Sequence, residues 1–138
     1  MAMNWFPLSA RPWAAALAAS TLWACAAAPA TPELSVRERA GQLWQAKVAG
    51  NYDKAYSYMP PSYRAITPLD KYKASFGGAV KIVGAEVISV VCETEDKCVT
   101  QMKVEARATL LRASAPIVSH FDEIWIREAG GWWLFPTS

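Results

Sequence analysis

The sequence predicts an α+β fold, with N-terminal helices packed on one face of a curved antiparallel sheet, and three observations predict it. Runs at helical spacing, with caps and prolines at their starts, occupy the chain as far as Gly78. After Gly78 the period falls to two and β-branched residues take over. Turn residues, not helices, separate the later runs, so strands follow strands. Helices first and antiparallel strands afterwards is the order of an α+β domain.

The first helix is expected from Ser35-Val36-Arg37-Glu38, a capping-box pattern with Ser at the N-cap and Glu three residues on. Val36, Ala40, Leu43, Trp44 and Val48 then recur at helical spacing, and Gly50 is placed to end the helix. A second helix runs from Tyr52 through Met59 and is expected to stop at Pro60-Pro61. Thr67-Pro68-Leu69-Asp70 starts a third, with Thr as cap, Pro in the first turn and Asp at the positive end of the dipole. Tyr72 and Phe76 follow four apart, and Gly77-Gly78 closes it.

Strands are expected over Val87 to Cys92 and Cys98 to Leu111, joined by the polar turn Glu93-Thr94-Glu95-Asp96-Lys97. One face of that hairpin carries Ile88, Val90, Cys92, Cys98, Thr100, Met102, Val104 and Ala106; the other carries Ser89, Gln101, Lys103, Glu105 and Arg107. This is a half-buried sheet with one wet face. Ala113-Ser114-Ala115-Pro116 breaks it, Ile117 to Arg127 forms a further strand, Ala129-Gly130-Gly131 a turn, and Trp132 to Phe135 the last strand. Trp132 and Trp133 send one ring to each face.

The first 24 residues have the layout of a signal peptide. Arg11 is their only charge, and the apolar stretch from Trp13 to Ala24 is too short for a spanning helix, which needs roughly 20 residues. Leu22-Trp23-Ala24-Cys25 is similar to a bacterial lipobox, with Trp23 where a small residue is usual, and makes Cys25 the expected lipid attachment point. The alternative is cleavage at Ala26-Ala27-Ala28, which would discard Cys25 with the signal. Residues 25–34 are then the lipidated Cys and a Pro-interrupted tether, and residues 35–138 the domain. The expected location is the cell envelope, lipid-anchored. Ala26 is not the Asp that marks inner-membrane retention in some Gram-negative bacteria, so in such a host the outer membrane, facing the periplasm, is the default destination.

With Cys25 set aside, Cys92 and Cys98 form an even pair. A hairpin closing between them would place them opposite each other, at disulfide distance. Free buried thiols are the alternative, and one His without a third Cys leaves a Zn site short of ligands.

Charge excludes more than it suggests. The chain has 14 basic residues; Arg11 lies in the signal, so 13 remain against 12 acidic. No basic stripe with interleaved aromatics appears, so nucleic acid is not an expected partner. Nucleophile–base, phosphate-loop and metal signatures are absent, and no cofactor is expected.

The run Trp44, then Ala49-Gly50-Asn51-Tyr52-Asp53-Lys54-Ala55-Tyr56, resembles the helical opening of nuclear-transport-factor-2-like domains, with their cystatin-like α+β roll. Pro61-Ser62-Tyr63-Arg64 resembles that family's next short turn. Glu123-Ile124-Trp125-Ile126-Arg127, followed by Gly130-Gly131-Trp132, resembles its closing hairpin. The resemblance covers residues 36 to 135 and implies a cone-shaped roll whose sheet and helices enclose a pocket. The family includes dehydratases, isomerases and polyketide cyclases beside adaptors, secretion components and lipoproteins, so activity has to be argued from the site.

His120 is the only His, and Asp122 follows on the same face of one strand, so a catalytic dyad is conceivable. No second carboxylate stands in a matching helical position, and both residues read rather as part of a solvent-exposed sheet face or rim. Glu123, Trp125 and Arg127 occupy the alternate face, where Glu and Arg read as a structural pair flanking a packed Trp, or the carboxylate as a pocket-mouth group. Trp44, Tyr56, Tyr72, Glu123 and Trp125 are the candidate ligand-binding residues; Tyr52, Tyr58 and Tyr63 would close the helical side. Aromatic rings also simply fill small cores. The leading expectation is an envelope lipoprotein whose domain binds a small apolar ligand or an envelope protein, or forms a homodimer through its sheet. The alternatives are a dehydratase or isomerase using His120 and Asp122, and an accessory subunit of an envelope assembly.

Overall fold

The computed structural model describes residues 30–110 and 115–136. The signal, Cys25 and the first part of the tether lie outside the described residues. Helices α1 (Pro32–Val48), α2 (Tyr52–Tyr56), α3 (Pro61–Ile66) and α4 (Leu69–Ala74) precede strands β1 (Val80–Thr94), β2 (Lys97–Ala108), β3 (Ile117–Glu128) and β4 (Gly131–Leu134). The strands form one antiparallel meander in the order β1-β2-β3-β4, curled into a half-barrel with the helices packed against it. The fold class is therefore α+β, as the sequence predicts. No helix among the described residues is long and apolar enough to cross a membrane.

Helix α1 begins three residues before the expected cap. Thr31 is the N-cap, its Oγ1 accepting from the Leu34 N–H at 3.3 Å, with Pro32 at the first helical position and Glu33 in the first turn. Ser35 lies inside the helix, its N–H donating to the Thr31 carbonyl at 3.0 Å. Thr-Pro-Glu supplies an oxygen cap, a residue with no N–H to leave unpaired and an acid on the dipole, which together outweigh the later capping box. At the other end Gly50 has φ +70°. The Gly50 N–H donates to the Lys47 carbonyl and the Asn51 N–H to the Ala46 carbonyl, a Schellman closure. Asn51 then caps α2, its Oδ1 accepting from the Lys54 N–H at 3.1 Å.

Two further expectations are corrected here. Pro60-Pro61 does not merely stop a helix: α2 ends at Tyr56, and Pro61 stands at the start of a separate α3, where its missing N–H costs nothing. Thr67 does not cap α4. It ends α3, its carbonyl accepts the Tyr56 hydroxyl at 2.6 Å, and Pro68 occupies the N-cap position without a side-chain bond.

Strand β1 starts at Val80, seven residues before the expected start, and carries irregularities between Ile82 and Gly84 and between Val87 and Ser89. The second reverses the alternation. Ile88 is 42% exposed, and Val87, opposite Met102, packs against the core in its place. Beyond that bulge Val90 pairs with Thr100 and Cys92 with Cys98, as the hairpin pattern requires. Along β2, Cys98, Thr100, Met102 and Val104 are buried while Gln101 and Arg107 face solvent. Cys92 and Cys98 are joined by a disulfide across the ladder.

The β3–β4 hairpin closes through Ala129 (φ +48°) and Gly130 (φ +78°), a two-residue turn of the kind that matches strand twist. Gly131 therefore belongs to β4. It needs no Cβ, which would sit 2.9 Å from Trp133 Cζ2. Trp132 is buried, and Trp133 lies against the guanidinium groups of Arg39 and Arg64, 4.8 and 5.4 Å from its ring centre. The main core sits between α1 and the concave face of the sheet, where Val36, Ala40 and Leu43 meet Cys98, Trp125 and Leu134.

Candidate functional site

Where the C-terminal half of α1 leans over β3 and β4, with α4 alongside, the packing leaves a cavity of about 300 Å³. Trp44 and Lys47 come from α1, Tyr63 from α3 and Tyr72 from α4, with Met59 and Phe76 from adjoining segments. Phe121, Asp122 and Glu123 come from β3, and Leu134, Phe135 and Pro136 close the far side. A larger recess of about 530 Å³ lies along Gly77 to Ile82 and holds Lys81 as its only charged group.

Two charged side chains are buried at the cavity. Glu123 is 8% exposed and Lys47 is 9% exposed. They do not form an ion pair; Trp44 links them instead. Its indole N–H donates to both Glu123 oxygens, at 3.1 and 3.2 Å, and its ring face receives the Lys47 ammonium 4.0 Å from the ring centre. Trp44 is fixed in turn by Phe121, 5.7 Å away between ring centres.

Burial raises the Glu123 pKa, opposed by the nearby Lys47 charge and the Trp44 N–H. Burial also lowers the Lys47 pKa, opposed by Glu123. The Tyr72 pKa is strongly raised, again chiefly by burial. The Tyr72 hydroxyl oxygen is buried and has no hydrogen-bond partner.

Of the ligand-binding candidates, the fold gathers Trp44, Tyr72 and Glu123 at one cavity. Tyr56 stands behind Tyr72, their rings 5.3 Å apart, and its hydroxyl is taken up by the carbonyls of Thr67 and Arg64. Trp125 is fully buried beneath the cavity floor and does not line it. The pairing of Glu123 with Arg127 does not form. Glu123 is turned to α1, and Arg127 is exposed opposite Trp132. His120 is exposed, beside Lys103 in the ladder and outside the cavity lining. Asp122, beside Gln101, is exposed and touches only the rim. Among the described residues no three His, Cys, Asp or Glu side chains gather as metal ligands.

Lys47 is the site residue that sequence reading missed. The signal was present: Val36, Ala40, Leu43 and Lys47 follow at steps of four, three and four, so Lys47 stands in the middle of the apolar stripe.

No family model and no curated protein matches the chain. Among solved structures it is similar to a SEC-C motif containing protein from Rhodopseudomonas palustris, at 15% identity over 75% of this chain and 74% of that one, with a TM-score of 0.53. It is also similar to the CamKII hub homology domain of Chlamydamonas reinhardtii, at 20% identity over 72% of this chain and 90% of that one, with a TM-score of 0.50. A putative calcium/calmodulin-dependent protein kinase type II association domain from Thiobacillus denitrificans follows at 16% identity over 70% and 86%, with a TM-score of 0.49. At such identities the likeness speaks to the fold.

Proposed function

We propose that this chain is an envelope lipoprotein of the nuclear-transport-factor-2-like fold, whose domain holds a small apolar ligand and catalyses no reaction on it. The observation that carries the reading is the aromatic-walled cavity with Lys47, Glu123 and Tyr72 built into it. Buried charges reduce stability, and a ligand that completes Lys47 and Glu123 would account for their being kept at the cavity. Of the two acid–base candidates, His120 stands outside the cavity and Asp122 at its rim, which favours binding over turnover. The Cys92–Cys98 disulfide suits an oxidising compartment, and the lipobox-like Leu22 to Cys25 suits anchoring there. In a Gram-negative host that place is the periplasmic face of the outer membrane.

The test is native mass spectrometry of the protein extracted from its host, before and after denaturation. A co-purifying small molecule that is lost on unfolding, and absent from a Trp44→Ala variant that still folds, is the expected result. A bare polypeptide mass, with no thermal stabilisation by any apolar or aromatic ligand class, overturns it.

A homodimer through the sheet is the second reading, and the outer face favours it. Val91 is 60% exposed opposite Val99, and Ile124 continues that row across the ladder. One structural neighbour is itself described as a hub homology domain. Sedimentation should show a dimer that Val91→Lys converts to monomer. A monomer at all concentrations, together with a stable crosslink to another envelope protein, would instead favour an accessory subunit.

A further inference from the structure

We infer that the cavity selects a small carboxylate on a flat apolar body, with the Lys47 ammonium as the donor that holds the carboxylate. This rests on the ligand-binding reading above and names the chemistry of that ligand.

Donors and acceptors at the cavity do not balance. Lys47 carries only N–H donors, is 9% exposed, and has no hydrogen-bond acceptor or ion-pair partner among the described residues; its ammonium meets only ring faces, Trp44 at 4.0 Å and Phe76 at 5.8 Å. Tyr72 lines the cavity with its ring, which Tyr56 and Phe76 hold in place, while its hydroxyl is sealed in the packing behind. One buried cation of α1 thus lines the cavity and lacks an acceptor. The rings of Trp44, Phe76 and Phe121 leave apolar walls for the rest of the molecule.

Charge chooses among acceptors. A phosphate would bring two negative charges against Glu123 and Asp122 with one cation to meet them. A neutral carbonyl leaves the buried ammonium uncompensated whenever Glu123 holds its proton. A monocarboxylate compensates it one for one. The titratable groups facing the ligand are Lys47 of α1, Tyr63 of α3, Tyr72 of α4, and Asp122 and Glu123 of β3; β4 and its tail contribute only Leu134, Phe135 and Pro136. Because burial favours the protonated form of Glu123, carboxylate binding should strengthen as the pH falls.

Phenylacetate and its neutral isostere phenylacetamide are the probes, titrated calorimetrically into the full chain. Phenylacetate should bind about tenfold or more tightly than the amide. Lys47→Met should bring the two to equality, whereas Tyr72→Phe, which keeps the ring and removes only a hydroxyl sealed from the cavity, should leave the preference unchanged. The pH dependence should be reduced in Glu123→Gln, and what remains belongs to the Lys47 ammonium, whose pKa burial lowers. Equal binding of the two probes, or a preference unchanged in Lys47→Met, overturns the carboxylate assignment and leaves the ligand-binding reading intact. No binding of either probe, together with a bare native mass, overturns both.

Discussion

At Glu123 burial and attraction act in opposite directions on one proton, and burial acts more strongly. Its pKa in the fold stands above the usual 4.5, so the folded state holds the proton more tightly than the unfolded chain. The contribution to stability is therefore fully present below the unfolded value and is lost as the pH rises through the folded one. Glu123→Gln keeps an oxygen acceptor for the Trp44 indole and cannot ionise. The variant should be more stable than the parent at neutral pH and above, with the difference closing in acid. Urea unfolding at a series of pH values checks this; a parent and variant that run parallel would mean that Glu123 is not desolvated. Lys47 shows why the site was only half legible. A lysine on a helix usually reads as solvated, yet its stem can pack while its head finds a ring face. Spacing marked its position, and residue type concealed it. Trp44 and Glu123, 79 positions apart, were each visible as candidates, but no local pattern states that one donates to the other.

At the scale of elements, competing signals decide the outcome. Two N-caps compete at the start of α1, and the assignment to Thr31 is testable: Thr31→Ala should destabilise by about 1 kcal/mol, whereas Ser35→Ala should cost about 0.5 kcal/mol or less. The reverse order, measured by denaturant unfolding, would return the helix start to Ser35. In the hairpin, the residues facing the core on β2 were legible because an uninterrupted strand alternates strictly. On β1 the bulge at Ile88 breaks the alternation, and nothing in Val87-Ile88-Ser89 announces it. The Cys pair survived that error because both members lie beyond the bulge. Its loop is short, with a sequence separation of 6, so reduction should lower stability by about 2 kcal/mol on the chain-entropy account. A loss well above that would mean that the bond holds the sheet's register as well as restricting the unfolded chain.

For the whole molecule, the decisive relation is between the proposed anchor and the cavity. The order of helices and strands was legible, because period and turn chemistry are local; the cavity was not, because it forms where α1, α3, α4, β3 and β4 meet. Its lining residues begin at Trp44, twelve positions into α1 from Pro32, which places them about 18 Å along the helix from its start. From Cys25 to Thr31 the chain can span about 22 Å at most. On the proposed reading the lipid is carried at Cys25 and the ligand by residues from Trp44 onward, so a single substitution should part the two. Cys25→Ser should move the protein from the membrane to the soluble envelope fraction, while its affinity for phenylacetate and its thermal midpoint stay unchanged. Retention in the membrane of a chain from which residues 1–24 have been removed would defeat the lipid-anchor reading. Release accompanied by lost affinity would mean that the chain before Pro32 completes the cavity, and the site would then have to be redrawn to include it.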